Sequence, residues 1–389
     1  MNRILAVLAV LAIAAVGLFP DPLKPTTYAP VPCCAPTGSF QSTFALGGSE
    51  IVYLAPELSK ADAERVGALE VALDRLRQRL AIPGFSAAVV RSGEILWARG
   101  FGCADIAAGV PATPRTPYRI ASLTKPMAAT VLLQLVEEGV VDLEDPVADY
   151  DIFLDSRGTV RVKHLLSHSS EGTPGSRYRY HGDRFGLIDR VMLKASSFTF
   201  AELLIDRIIL PLDLRDTVPT PVGGERLAYE RGEADPRFQH AWNRLATPYW
   251  LVHGYGNVRD EYVEYFGSAA GLISSVMDYA AFSLALDCGD LLSEETLSMA
   301  WSPFVSNRGR SLPYGYGWFI QERDGMRLVW HYGYWRSTST LIVKVPERGL
   351  AFLLFANSDR LSSPFHLGVN ENVRRSPAAR AFLDIFVDP

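Results

Sequence analysis

Ser122 and Lys125 stand three residues apart in the stretch RIASLTKPMAAT (119–130), with Pro126 directly behind the lysine. Residues at i and i+3 share one face of a helix, so the amine can reach the hydroxyl. The pair has the makings of a nucleophile and its base, the chemistry of an acylated serine. A helix N-terminus at this point would also favour negative charge on an attacking or acylated oxygen. The same letters support a plain structural reading. A helix starting at Leu123 makes Ser122 its N-cap. Pro126 then falls at the fourth helical position, where a missing N–H breaks no bond. Spacing alone does not choose between the two, so the surrounding elements have to.

Those elements read as follows. Ser59 with Asp62 predicts a capping box opening a helix, and Val66, Leu69, Leu73, Leu76 and Leu80 supply its single apolar stripe until Pro83-Gly84. Residues 85–90 and 94–102, joined by Arg91-Ser92-Gly93, predict a β-hairpin. The pattern is helical over 123–138, and Gly139 suits the left-handed position past the end. Short helical stretches follow at 160–170, 184–195 and 199–212, then a loop-rich region over 213–265 and a further helical stretch over 268–286. Strand patterns return at 314–321, 327–333, 337–346 and 350–357, and 377–387 predicts a closing helix. Strands at both ends with helices between predict an α+β fold. Its antiparallel sheet is built from both chain ends and flanked by helices, with a mostly helical lobe (about 115–290) inserted. A site belongs in the cleft between the lobes.

Apolar residues make up 48% of the 389, enough for a large core, and the formal net charge of −5 comes with no basic cluster suited to a nucleic acid. Met1-Asn2-Arg3 precedes an unbroken apolar run from Ile4 to Phe19, which predicts an export signal over 1–20, either cleaved or kept as a membrane anchor. The expected location is therefore periplasmic or membrane-attached. Six prolines between Pro20 and Pro36 predict an extended linker over 21–58, leaving 59–389 as the folded domain. The cysteines, Cys33, Cys34, Cys103 and Cys288, show no metal-ligand spacing, and their pairing is not set by sequence.

Several segments decide the reading of Ser122. SLTKPMAATVLLQLVEEGVVDLEDPV (122–147) resembles the S-x-x-K helix, Gly and D-P turn of serine β-lactamase-like proteins. VRVKHLLSHSSEG (160–172) resembles their T-I-R-H-L-L-T-H-T-S-G. LLIDRIILPLDLRDT (203–217) resembles P-L-G-M-x-D-T, with Asp213 where Gly is usual. AAGLISSVMDYAAF (269–282) and YGYGW (314–318) resemble A-G-G-L-x-S-T-x-x-D-x-A-x-F and Y-G-x-G-W. These segments occur in family order over roughly residues 60–385. The family includes class C β-lactamases, penicillin-binding D-alanyl-D-alanine carboxypeptidases, esterases and D-aminopeptidases.

The resemblance implies further site residues. In YRYHGDRFGLI (178–188), Tyr180 takes the place of the family's catalytic tyrosine, while Gly182 stands where an asparagine is usual. In WHYGYW (330–335), His331 takes the place of the family's K-T-G lysine, as in its H-x-G members. Gly333 would let the substrate backbone approach, and His331 would donate to substrate or to developing charge. The oxyanion hole would use the N–H groups of Ser122 and Tyr334. Lys125 and Tyr180 both remain candidates for the base, and no cofactor or metal is needed. HLLSH (164–168) lacks the glutamate of a zinc-binding H-E-x-x-H and is read as structural. The implied substrate is a small molecule or peptide, including peptidoglycan-derived ones. Gly182 and His331 favour an ester or D-amino-acid substrate over a β-lactam. The alternatives are a genuine class C-like β-lactamase and a non-catalytic periplasmic binding protein on the same scaffold.

Overall fold

Side chains on the central strands alternate between two apolar layers, which is why the sheet lies in the middle of the domain. Phe85, Val89, Leu341, Val343, Phe352 and Leu354 face one layer. Ala88, Val90, Ile342, Leu353 and Phe355 face the other. The computed structural model describes residues 43–44, 51–252, 256–261, 263–323, 325–367 and 371–388. The expected export signal and the six prolines between Pro20 and Pro36 lie outside these residues.

The main sheet is antiparallel throughout. Its order is Thr43–Phe44, Ile51–Leu54, Glu94–Asp105, Gly84–Arg91, Leu350–Ala356, Thr338–Val345, Met326–Trp335, Phe319–Arg323. The hairpin strand Gly84–Arg91 thus pairs with the late strand Leu350–Ala356, and the two chain ends close one sheet. The first layer is covered by the helices Lys60–Arg79 and Pro377–Phe386. Leu69 and Leu73 are fully buried there, and Phe352 stacks on Phe382 with ring centroids 5.2 Å apart. Burying a leucine of this kind contributes roughly 2–3 kcal/mol. The second layer meets the helix Val276–Asp287 and the helical region carrying the site.

Most predicted elements are present, including the Ser59 cap, whose hydroxyl accepts the Asp62 N–H at 3.1 Å. Three expectations are corrected. The segment predicted helical over 268–286 opens with the strand Leu272–Ser274, and its helix starts only at Val276. That strand lies between Tyr118–Arg119 and Val218–Pro219 in a second, three-stranded sheet. The loop-rich stretch 213–265 contains two helices, Gly224–Arg231 and Pro236–Asn243, and a hairpin, Tyr249–Val252 with Gly256–Arg259. The linker predicted over 21–58 ends in a strand, because Ile51–Leu54 pairs with Glu94–Asp105.

Candidate active site

The small sheet sets the position of Ser122. The Ile120 N–H donates to the Leu272 carbonyl at 2.9 Å, and the Leu272 N–H donates to the Thr124 hydroxyl at 3.1 Å. Ala121 is held at φ 47°, a left-handed conformation that a side chain resists and that the surrounding bonds must enforce. Ser122 follows in a 3-10 turn, Ala121–Leu123, that runs into the helix Thr124–Glu137. The expected N-cap role is therefore corrected. The cap position belongs to Leu123 and has no side-chain bond. The Ser122 hydroxyl points instead toward Lys125, whose Nζ lies 3.0 Å away. Ser122 is half-buried, while Lys125 is fully buried.

Lys125 Nζ also donates to the Ala269 carbonyl at 2.6 Å. The rings of Tyr180 and Phe185 lie 5.1 and 5.5 Å from it. Burial in this apolar, aromatic setting penalises the ammonium and pulls its pKa down to about 7, against an opposing pull from Asp183. Lys344, the other fully buried lysine among the described residues, has the Asp287 carboxylate at 2.9 Å. Among the described residues no carboxylate makes a salt bridge of that kind with Lys125.

Tyr180 is brought to the same place. Its ring stacks on Phe319 at 6.0 Å and lies 6.1 Å from Tyr332. Its hydroxyl is buried and makes no hydrogen bond of normal geometry among the described residues. Burial, with Tyr332 nearby, drives its pKa well above the phenol value, while the Ser122 hydroxyl pulls weakly the other way. At neutral pH Tyr180 is a phenol and Lys125 is divided between amine and ammonium.

His331 differs from expectation. Its Nδ1–H donates to the Tyr332 carbonyl at 2.8 Å, and its Nε2 lies 2.8 Å from the Tyr314 hydroxyl, which donates to it. Burial and the nearby Lys125 hold the ring neutral. Neither nitrogen is left to donate to a substrate, so His331 acts as a brace under the site strand. Gly333 also differs. A Cβ there would stand 2.1 Å from the Ile120 carbonyl oxygen and 2.2 Å from Thr340 Oγ1. The glycine lets protein backbone approach, not substrate. Tyr334, the next residue, is 45% exposed at the strand end. At Gly182 a Cβ would meet nothing within 4 Å, so the missing asparagine leaves open space.

Three contributors were not legible as site residues. The Ala269 carbonyl holds Lys125, Asp183 places a charge that Lys125 feels, and His168 packs its ring 4.3 Å from that of Tyr180. The AAGL and HLLSH motifs marked the segments of Ala269 and His168, but not their use. Asp183 carried no signal beyond its place beside Gly182.

Comparison with known proteins bears on the family and the fold. A family model described as Beta-lactamase matches residues 72–368. A penicillin-binding protein of Bacillus subtilis (strain 168) is 25% identical over 306 residues, covering 69% of this chain and 66% of its own length. A D-aminopeptidase of Brucella canis is 27% identical over 302 residues, covering 68% of this chain and 54% of its own length. The chain thus spans between half and two thirds of these curated relatives. The structure of D-amino acid amidase from Ochrobactrum anthropi SV3 superposes with a TM-score of 0.65 at 23% identity, covering 84% of this chain and 99% of that one. A penicillin-binding protein homologue from Pyrococcus abyssi superposes with a TM-score of 0.66 at 25% identity, over 79% and 78% of the two chains. With sequence motifs, antiparallel sheet and family match in agreement, the chain belongs to the Beta-lactamase family, a family of hydrolases.

Proposed function

We propose that the protein is an exported serine hydrolase that cleaves an ester, amide or D-amino-acid peptide bond through an acyl-enzyme on Ser122. One observation carries this reading: a buried lysine, its pKa pulled down to about 7, lies 3.0 Å from the hydroxyl of a half-buried serine. In its neutral form, Lys125 keeps one N–H on the Ala269 carbonyl and offers its lone pair to the Ser122 proton. A base with a pKa near the working pH is the efficient choice. Tyr180, held as a phenol, suits proton transfer toward the leaving group better than proton abstraction.

Ser122 Oγ attacks the carbonyl carbon, its proton passes to Lys125, and the carbonyl π pair moves to oxygen. Backbone N–H groups of Ser122 and Tyr334 would receive that oxyanion. Collapse expels the amine or alcohol, which takes a proton from Lys125 through the Tyr180 hydroxyl. A water molecule then repeats the sequence on the acyl-enzyme and returns the proton to Ser122.

The names of the relatives, a D-aminopeptidase and a D-amino acid amidase, support an amide substrate carrying a free amino group. Asp183, exposed beside the open space at Gly182, supplies a negative charge on that side. The basic start and apolar run of residues 1–19 support export. Ser122→Ala should lose all covalent labelling by a fluorophosphonate while melting as the wild type does, and labelling of that variant would overturn the assignment. Turnover of p-nitrophenyl butyrate, D-phenylalanine amide, its N-acetyl form and nitrocefin then sorts the substrate. The expected order places the free amide above its acetylated form, with nitrocefin last.

A further inference from the structure

His168 is bound to both sides of Tyr180. Its carbonyl accepts the N–H of Arg179 at 2.8 Å, and its ring Nδ1 accepts the N–H of His181 at 3.2 Å. Between those two bonds, its imidazole lies 4.3 Å from the Tyr180 ring, tilted by 34°. Phe185 at 5.3 Å and Tyr314 at 4.8 Å confine the imidazole further. The residue adopts φ 51°, a left-handed backbone uncommon outside glycine, asparagine and a few others.

These features are costly for a mere space-filler. With Nδ1 accepting, the neutral ring carries its proton on Nε2. That atom is buried and has no partner among the described residues. A buried donor left unpaired destabilises a fold, and a phenylalanine would fill the same volume without one. The ring nitrogen that does bond is the one that fixes the peptide next to Tyr180. Burial, with the charge of Lys125 nearby, keeps the ring neutral and Nδ1 able to accept.

We infer that His168 is a positioning residue for Tyr180, gripping the peptide N–H groups on either side of that tyrosine while its ring sets the tilt of the phenol. This rests on the reading of Ser122, Lys125 and Tyr180 as the reacting groups. A base or proton carrier needs a third group to orient it, and here that group is supplied from the HLLSH turn. Among the described residues no hydrogen bond joins the histidine to Ser122, so its effect falls on the rate of acylation and not on substrate affinity.

The test compares three proteins by fluorophosphonate labelling rate and by kcat and KM for p-nitrophenyl butyrate. His168→Phe keeps a ring and loses the acceptor. His168→Asn keeps an acceptor oxygen near the Nδ1 position and tolerates the left-handed backbone. His168→Phe should acylate about 100-fold more slowly with KM within about twofold, the scale expected for a misplaced catalytic group. His168→Asn should recover to within about tenfold of the wild type. If the phenylalanine variant does not fold, His168→Ala takes its place in the comparison. Acylation at the wild-type rate without the acceptor, or an asparagine variant no faster than the others, overturns the inference. Wild-type protein that takes no label removes the underlying reading and the inference with it, whereas labelled wild type with indifferent variants removes the inference alone.

Discussion

The carbonyl oxygen of Ile120 fills the space beside Gly333, 2.1 Å from where a Cβ would stand. The same oxygen accepts the Thr340 hydroxyl at 2.9 Å. The site strand and its neighbour therefore clamp the residue two places before Ser122. Gly333→Ala should push this turn outward, costing about 1–3 kcal/mol as an overpacked contact. Acylation of Ser122 should fall further than stability, by about 100-fold. Thermal melting with labelling kinetics checks it, and a folded variant labelled at the wild-type rate would contradict the clamp.

The depressed pKa of Lys125 has two consequences with a definite sign. The proposed mechanism requires the amine, so kcat/KM should rise with pH through about 7 and level off above it. Stability follows the same direction. The unfolded lysine binds its proton up to about 10.5 and the folded one only up to about 7, so the wild type gains stability as pH rises between those values. Lys125→Met should be inactive, lack that slope, and be more stable than the wild type at pH 7 by roughly 2–4 kcal/mol. Denaturant titrations at pH 6, 7, 8 and 9 measure the difference.

His331 provides a contrast with Lys125. A group that donates to the transition state costs about 10²–10⁴ in rate when removed. His331 spends both nitrogens on Tyr332 and Tyr314, so His331→Gln should lower kcat/KM by less than about tenfold. Tyr314→Phe leaves the buried Nε2 without its donor and should cost about 1–3 kcal/mol of stability. A 1,000-fold loss in a well-folded His331→Gln variant would return the histidine to the reacting groups.

Gly182 can be refilled. It is the first residue of the short helix Gly182–Gly186, and a Cβ there meets nothing within 4 Å. Gly182→Asn should fold with an unchanged or slightly higher melting temperature, since replacing glycine reduces unfolded-state entropy. If the missing amide limits β-lactam turnover, nitrocefin hydrolysis should rise by about tenfold, the value of one added hydrogen bond of about 1.4 kcal/mol.

Sequence patterns reported well wherever a long element buried one regular face. The stripe of Leu69, Leu73 and Leu76 was readable because it extends over several periods, and 350–356, buried on both faces, because its apolar run is unbroken. Leu272–Ser274 was not readable, because three residues carry no period and their partners lie at 118–119 and 218–219. Within the site, motif order brought Ser122, Lys125 and Tyr180 together on paper, as the fold does in space. The local letters make Ser122 a cap and the motif makes His331 a donor, and neither holds in the fold, because bond partners depend on what packs opposite. Tyr314 and the left-handed turn at Ala121 are tertiary facts. HLLSH reads as structural for the same reason, since nothing local announces that the His168 ring meets Tyr180.

The bond from Thr340 to Ile120 spans 220 residues of chain. At about 5–20 residues per second, synthesis separates its two ends by roughly 10–40 s. During that interval the nascent chain already carries both Ser122 and Lys125, and even once Leu272 has been made it still lacks the two strands that clamp Ile120. In the proposed mechanism, covalent labelling of the serine would therefore mark molecules that have finished folding, and a pulse-chase with an activity probe would time the maturation of this protein.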